Sequence, residues 1–265
     1  MPRANRYFLP GQVWHLTHRC HKREFLLRFA RDRRRWESWL FEARKRFGLS
    51  VLNYMVTSNH VHLLVYGGGD TSVIPRSVQL LAGCTAQEYN RRKRRKGAYW
   101  EDRYHATAVE SGEHLARCML YIDTNMVRAG VVDHPGEWES CGFHEIADPP
   151  GRYARIDRDR LASLLDLPSP EALAEWQQAA HGMARPEAPR GRCPEWTESV
   201  AVGRREFAVS IQERLGLKAR GRTVHEASLS GLHVLRESPS AYPAVFGPEN
   251  AGLSLENALR WNATP

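Results

Sequence analysis

At 265 residues, 42% hydrophobic and 26% charged, the chain has the makeup of a globular protein able to bury its own core. No apolar run approaches the roughly 18 residues needed to span a bilayer, and the opening Met-Pro-Arg-Ala-Asn-Arg-Tyr lacks the basic-then-apolar layout of a secretory signal. Five scattered cysteines without C-x-x-C spacing, at 20, 84, 118, 141 and 193, argue against a disulfide framework or thiolate zinc centre and for a reducing cytoplasm.

The formal net charge of +8 sits mainly in residues 1–150, which hold 23 Lys/Arg against 16 Asp/Glu. A polyanion, nucleic acid above all, is the partner such a basic half favours. Gln12–Cys20 has the β-branched and aromatic content of a strand, with Val13, His15 and Thr17 on one face. Asp32–Phe47 reads as a helix through the spacing of Trp36, Trp39, Leu40, Ala43 and Phe47, and Gly48 stops it. Ser50–Val56 and Val61–Tyr66 flank Thr-Ser-Asn-His and read as a hairpin. Helices follow over Ile74–Asn90 and Gly112–Arg128, the latter with Ser111 as N-cap and Gly130 past its end. This order gives an α+β fold, an antiparallel β-sheet packed with α-helices.

Beyond Asp148 the character changes. Ile156–Leu165, Pro170–Ala184 and Val200–Leu215 read as helices, with a Pro-rich linker near 184–197. The chain therefore divides into a domain over 1–148 and a mostly helical C-terminal extension over 149–265.

Three groups of residues can carry chemistry. On a strand, His60 and His62 share a face, about 7 Å apart along the chain. Two imidazoles so placed can chelate a metal ion or grip a phosphate, and the spacing alone also suits surface histidines. Leu115, Cys118, Met119, Ile122 and Met126 make an apolar helical stripe, and Tyr121 and Asn125, spaced i,i+4, share its flank with His114 and Arg128. By position alone, Tyr121 serves as a nucleophile or as an anchor of the helix edge. The run Arg91, Arg92, Lys93, Arg94, Arg95, Lys96, with Trp100 and Arg103 after it, has the cations and aromatics of a single-strand contact surface; a solvated helix end has the same composition.

Four segments in order give the chain a resemblance to the single-tyrosine transposases of the HUH endonuclease superfamily, and within them to the REP-associated tyrosine transposases. Val13-Trp14-His15-Leu16-Thr17-His18-Arg19 resembles the opening strand, and Ser58-Asn59-His60-Val61-His62-Leu63-Leu64-Val65 the histidine–hydrophobe–histidine strand. Trp100-Glu101-Asp102-Arg103-Tyr104 is similar to the W-x-x-R-[YF] segment. Tyr121-Ile122-Asp123-Thr124-Asn125-Met126-Val127-Arg128-Ala129-Gly130 is similar to the family's tyrosine helix. The likeness covers about residues 5–148. Ser58 and Met126 stand where relatives carry proline, and the second departure predicts a straighter tyrosine helix.

The resemblance implies an HUH/ferredoxin-like sheet. It also implies a metal-dependent single-stranded DNA endonuclease and strand-transferase that nicks REP-like hairpin DNA through a 5′-phosphotyrosine. Tyr121 would be the nucleophile, and His60, His62 and Asn125 the ligands of Mg²⁺ or Mn²⁺. Arg91–Lys96, Trp100 and Arg103 would contact DNA, and His114 or His15 would help with the phenol proton. A monomer rather than a homodimer, acting on the bacterial nucleoid, is the expected form. A non-catalytic nucleic-acid-binding protein of the same fold is the alternative, and a metallohydrolase using water is a third class.

Overall fold

A computed structural model describes residues 7–183, 193–227 and 231–237. Its framework is one sheet in the order β2-β3-β1-β4-β5-β7-β6. The first four positions are filled by β1 (Gln12–Arg19), β2 (Ser50–Val56), β3 (His60–Gly67) and β4 (His105–Val109), which pair antiparallel throughout. The hairpin expected of Thr-Ser-Asn-His joins β2 to β3, with the Thr57 hydroxyl donating to the His60 carbonyl at 2.8 Å. Strand β4 carries no long alternating pattern, and the sequence reading missed it.

Helices α1 (Ala30–Phe47) and α2 (Val73–Lys93) cover one face of the sheet. Residues alternate faces along a strand, so Leu16, Val61 and Leu63 meet Trp36, Val78 and Leu81 beneath these helices. Gly48 ends α1 in the left-handed conformation, φ 70°, where a glycine costs least. The opposite face takes α3 (Glu113–Asp123) and α4 (Asn125–Arg128). Gly112, at φ 69°, stands at the N-cap position expected of Ser111.

The straighter tyrosine helix is not found, since the chain breaks between α3 and α4 at Thr124. There the Thr124 hydroxyl donates to the Leu120 carbonyl at 2.6 Å, a local bond that bends helices. Losing the family's proline at 126 therefore does not straighten this segment.

The C-terminal third has the expected helices and more. After the short α5 (Phe143–Ala147) come α6 (Arg158–Leu164), α7 (Ala172–Met183), α8 (Pro194–Glu198) and α9 (Arg205–Leu215). Strands β5 (Ala201–Gly203), β6 (Arg222–Glu226) and β7 (His233–Glu237) extend the same sheet, β5 lying parallel to β4. The sheet thus runs across the 148/149 division. Two expectations change here. The helix read over Val200–Leu215 begins only at Arg205, because Ala201–Gly203 is a strand. Residues 184–192 of the Pro-rich stretch lie outside the described residues, and its end is helix α8, with Pro194 at the first turn, where its missing N–H costs nothing. All five cysteines are free. No helix among the described residues is long and apolar enough to cross a membrane.

Candidate active site

Sheet register gathers the polar residues. Thr17 pairs with His62, Arg19 with His60 and His15 with Leu64 across β1 and β3, while His15 and Thr17 pair with Thr107 and His105 across β4. Directly paired residues share a face, so His15, Thr17, His60, His62, His105 and Thr107 all project toward α3, α4 and α8. Between them lies a cavity of about 450 Å³ whose lining includes His60, His62, Arg103, Tyr121, Asn125 and Arg128. One chain therefore brings both histidines, the tyrosine and the asparagine of the sequence reading to a single cavity.

The imidazoles are held from behind. His60 Nδ1 lies 2.7 Å from Asn59 Oδ1 and 2.9 Å from Thr57 Oγ1. The Asn59 amide is oriented by its own donation to the Arg23 carbonyl at 3.2 Å, so its oxygen accepts and His60 Nδ1 donates. The lone pair of His60 is then on Nε2. His62, only 2% exposed, meets His15 Nε2 through Nδ1 at 2.9 Å, and its Nε2 faces the Asn125 amide at 3.1 Å. His15 is fully buried and its Nδ1 lies 2.9 Å from the Trp196 carbonyl on α8. Burial drives its pKa down to about 3, the Trp196 bond opposing only in part and His105 adding to the fall; His15 is neutral at physiological pH.

Tyr121 stands edge-on to His62, ring centroids 5.8 Å apart, and to His15 at 6.2 Å. The Arg128 guanidinium covers its ring at 4.2 Å, and the Trp196 indole stacks against it at 6.3 Å. Burial raises the phenol pKa, and the Arg128 charge and a backbone hydrogen bond from Cys193 counter it in part. Arg128 also donates to the Tyr121 carbonyl at 2.8 Å, tying α4 back onto α3 across the break.

Other sequence expectations fall at different places. Arg103 lines the cavity. The run Arg91–Lys96 ends α2 instead; within it Arg92 binds Asp32, and Arg95 lies 3.4 Å from Glu24 and donates to the Ala98 carbonyl. Trp100 stacks on His18 at 4.1 Å and donates its indole N–H to the Ala82 carbonyl at 3.0 Å, so one face of the ring is already covered. His114 packs 3.4 Å from Glu110 and does not line the cavity. His15 does approach Tyr121, yet its ring nitrogens are engaged by Trp196 and His62. Neither histidine is placed to take the phenol proton directly. What sequence reasoning missed is the part played by α8, since nothing in Pro194–Glu198 signals that its carbonyl and indole meet residues far back in the chain.

Among the described residues no three His, Cys, Asp or Glu side chains converge as a metal cluster. Two imidazole nitrogens and an amide oxygen are nonetheless a neutral nitrogen–oxygen set suited to a divalent cation with open positions. The residues fit: both Nδ1 atoms are occupied by protein partners. Rotating the Asn125 amide, whose oxygen and nitrogen are interchangeable in outline, turns its oxygen toward the same point.

A sheet that presents a histidine pair to a helix-borne tyrosine is the arrangement expected of the transposases the sequence resembles. Residues 11–125, which include both histidines, Tyr121 and Asn125, match the family model described as Transposase IS200 like. Similar solved structures include a REP-associated tyrosine transposase bound to a REP hairpin, 18% identical over 55% of this chain and 84% of that one, TM-score 0.47. Another is a transposase candidate from Deinococcus radiodurans R1, 22% identical over 46% of this chain and 96% of that one, TM-score 0.33. No curated protein matches the chain.

Proposed function

We propose that the protein is a metal-dependent, single-tyrosine nickase and strand-transferase acting on single-stranded or hairpin DNA of the REP type. One observation carries this reading: Tyr121, His60, His62 and Asn125 of the same chain line one cavity. Because a single copy supplies the whole set, a monomer suffices. The four-segment resemblance and the basic first half support the hairpin substrate, and acting on such DNA would put the protein at the nucleoid, in the cytoplasm.

His60, His62 and Asn125 would hold Mg²⁺ or Mn²⁺, whose charge would polarise the scissile phosphate and offset developing negative charge there. Tyr121 Oη attacks phosphorus. The new O–P bond forms as the bond to the 3′-oxygen breaks, the phenol proton leaves, and the 3′-oxygen takes one up. A 5′-phosphotyrosine and a free 3′-OH result. The ester retains the energy of the broken bond, so a 3′-OH can reverse the step and join strands. Since burial raises the phenol pKa, Tyr121 enters as neutral phenol, and the Arg128 guanidinium over its ring stabilises the phenolate as it forms.

The test uses full-length protein, labelled hairpin DNA and Mn²⁺ on a denaturing gel. A protease-sensitive shifted band is expected, absent in Tyr121→Phe and abolished by EDTA, while hairpin binding persists under both treatments. Cleavage surviving in Tyr121→Phe would assign the chemistry to water, and binding without adduct in the wild type would leave a DNA-binding protein.

A further inference from the structure

We infer that His15 is a positioning residue that holds His62 in the one tautomer able to ligate a cation, and that the Trp196 carbonyl of the C-terminal extension sets His15 in turn. The inference deepens the reading above and rests on it for the cation.

The argument follows hydrogens along three links. A carbonyl can only accept, so the 2.9 Å contact to the Trp196 oxygen puts the hydrogen on His15 Nδ1. His15 is fully buried and both its ring nitrogens are taken up, by Trp196 and His62; with no carboxylate among these partners it stays neutral, and its Nε2 is an acceptor. The 2.9 Å contact between that Nε2 and His62 Nδ1 then requires His62 to donate. A neutral His62 with its hydrogen on Nδ1 carries its lone pair on Nε2, the atom that faces Asn125 and the cavity.

The other tautomer fails on both sides. It would oppose two lone pairs between His15 and His62 in a buried setting, which costs at least a lost hydrogen bond. It would also aim an N–H at the cation position. Flipping the His62 ring is no escape, since a ring carbon would then meet His15 Nε2. Metal-binding histidines are regularly oriented through their second nitrogen by a carbonyl or carboxylate; here a second histidine is inserted between ligand and carbonyl.

The carbonyl end is itself fixed. Thr107 Oγ1 lies 3.3 Å from the Trp196 carbonyl and donates to the Ser199 carbonyl at 2.7 Å, while His105 Nε2 lies 2.9 Å from that same Ser199 oxygen. Helix α8 is thus pinned to β4 just beyond the site. A segment that supplies no ligand and lies past the family-matched residues 11–125 becomes part of the cation site through its backbone.

Long-range ¹H–¹⁵N spectra of the ¹⁵N-labelled full-length protein test this, with the His62 signals assigned by loss in His62→Gln. His62 is expected as the Nδ1–H tautomer at neutral pH. Mn²⁺ titration of His15→Leu is expected to show affinity reduced roughly 10–100-fold, with metal-free hairpin affinity unchanged. His15→Gln, whose amide oxygen reaches the place of Nε2, recovers most of the loss. A His62 that is Nε2–H or cationic in the wild type overturns the inference, as does undiminished Mn²⁺ affinity in a folded His15→Leu protein. Should His15→Leu not fold, the wild-type spectrum and His15→Gln decide. Expected tautomer and Mn²⁺ binding without a Tyr121-dependent adduct would sink the nickase reading and leave this one. An adduct with the wrong tautomer would do the reverse.

Discussion

Two buried titratable residues, His15 under the site and Glu37 on α1, meet desolvation with different help. His15 becomes neutral and its neutrality is used. Glu37 keeps Arg155 nearby at 3.5 Å, but one carboxylate oxygen has no hydrogen-bond partner. Burial raises its pKa, with Arg155, Ser140 and Arg33 opposing. A carboxyl raised in the folded state binds a proton there that the unfolded chain has already lost, so stability falls as pH rises from the ordinary carboxylate value through the raised one. We expect wild type to gain stability relative to Glu37→Gln as pH drops from 7.5 toward 5 in urea titrations; a constant difference would refute the assignment. At this scale the sequence was informative where residues act on the same strand or helix. His60 with His62, and Tyr121 with Asn125, are legible because strand and helix periods put each pair on one side. The bond between His15 and Trp196 spans 181 residues, and no local period reports it.

Elements with long apolar periods were read within a few residues, because α1 and α2 bury whole stripes under the sheet and each stripe repeats often enough to be seen. The missed strands are short. Strand β4 has five residues and β5 three, too few for alternation to stand out, and β5 exists because β4 offers it an edge. Val200 then falls in step with the apolar stripe of Ala208, Ile211 and Leu215 on α9, which is why the periodicity starts the helix too early. The seam is tight at Gly203: a Cβ there would lie 2.6 Å from Phe207 Cδ1 and 2.7 Å from the Glu110 side chain. Glu110 meanwhile accepts from the Arg204 backbone N–H at 2.6 Å and from its guanidinium at 2.6 and 2.8 Å. Adding a methyl would overpack the join, at a cost of about 1–3 kcal/mol. Gly203→Ala should therefore lower the urea midpoint with its slope unchanged. Wild-type stability in that variant would mean β5 is not held as described.

Across the whole molecule, charge and chemistry occupy separate places. The basic run ends α2 and Arg103 lies in the cavity wall, so the two should influence DNA differently. Arg92 is tied to Asp32, and Arg95 is partly buried beside Glu24. Arg91, Lys93, Arg94 and Lys96 are the exposed cations of the run outside these two ion pairs. Each phosphate contact they make releases counterion, and losing one should flatten the plot of log affinity against log salt by about 0.7–0.9. Replacing those four with Gln is expected to weaken hairpin binding broadly and reduce that slope, with the single-turnover rate at saturating DNA nearly intact. Arg103→Ala is expected to do the opposite, slowing adduct formation at saturation while changing the slope by no more than one contact. Anisotropy titrations across NaCl concentrations and quenched single-turnover gels separate the two effects. An unaltered slope in the quadruple variant would remove the α2 terminus from the DNA interface and move the electrostatic footprint to the cavity rim.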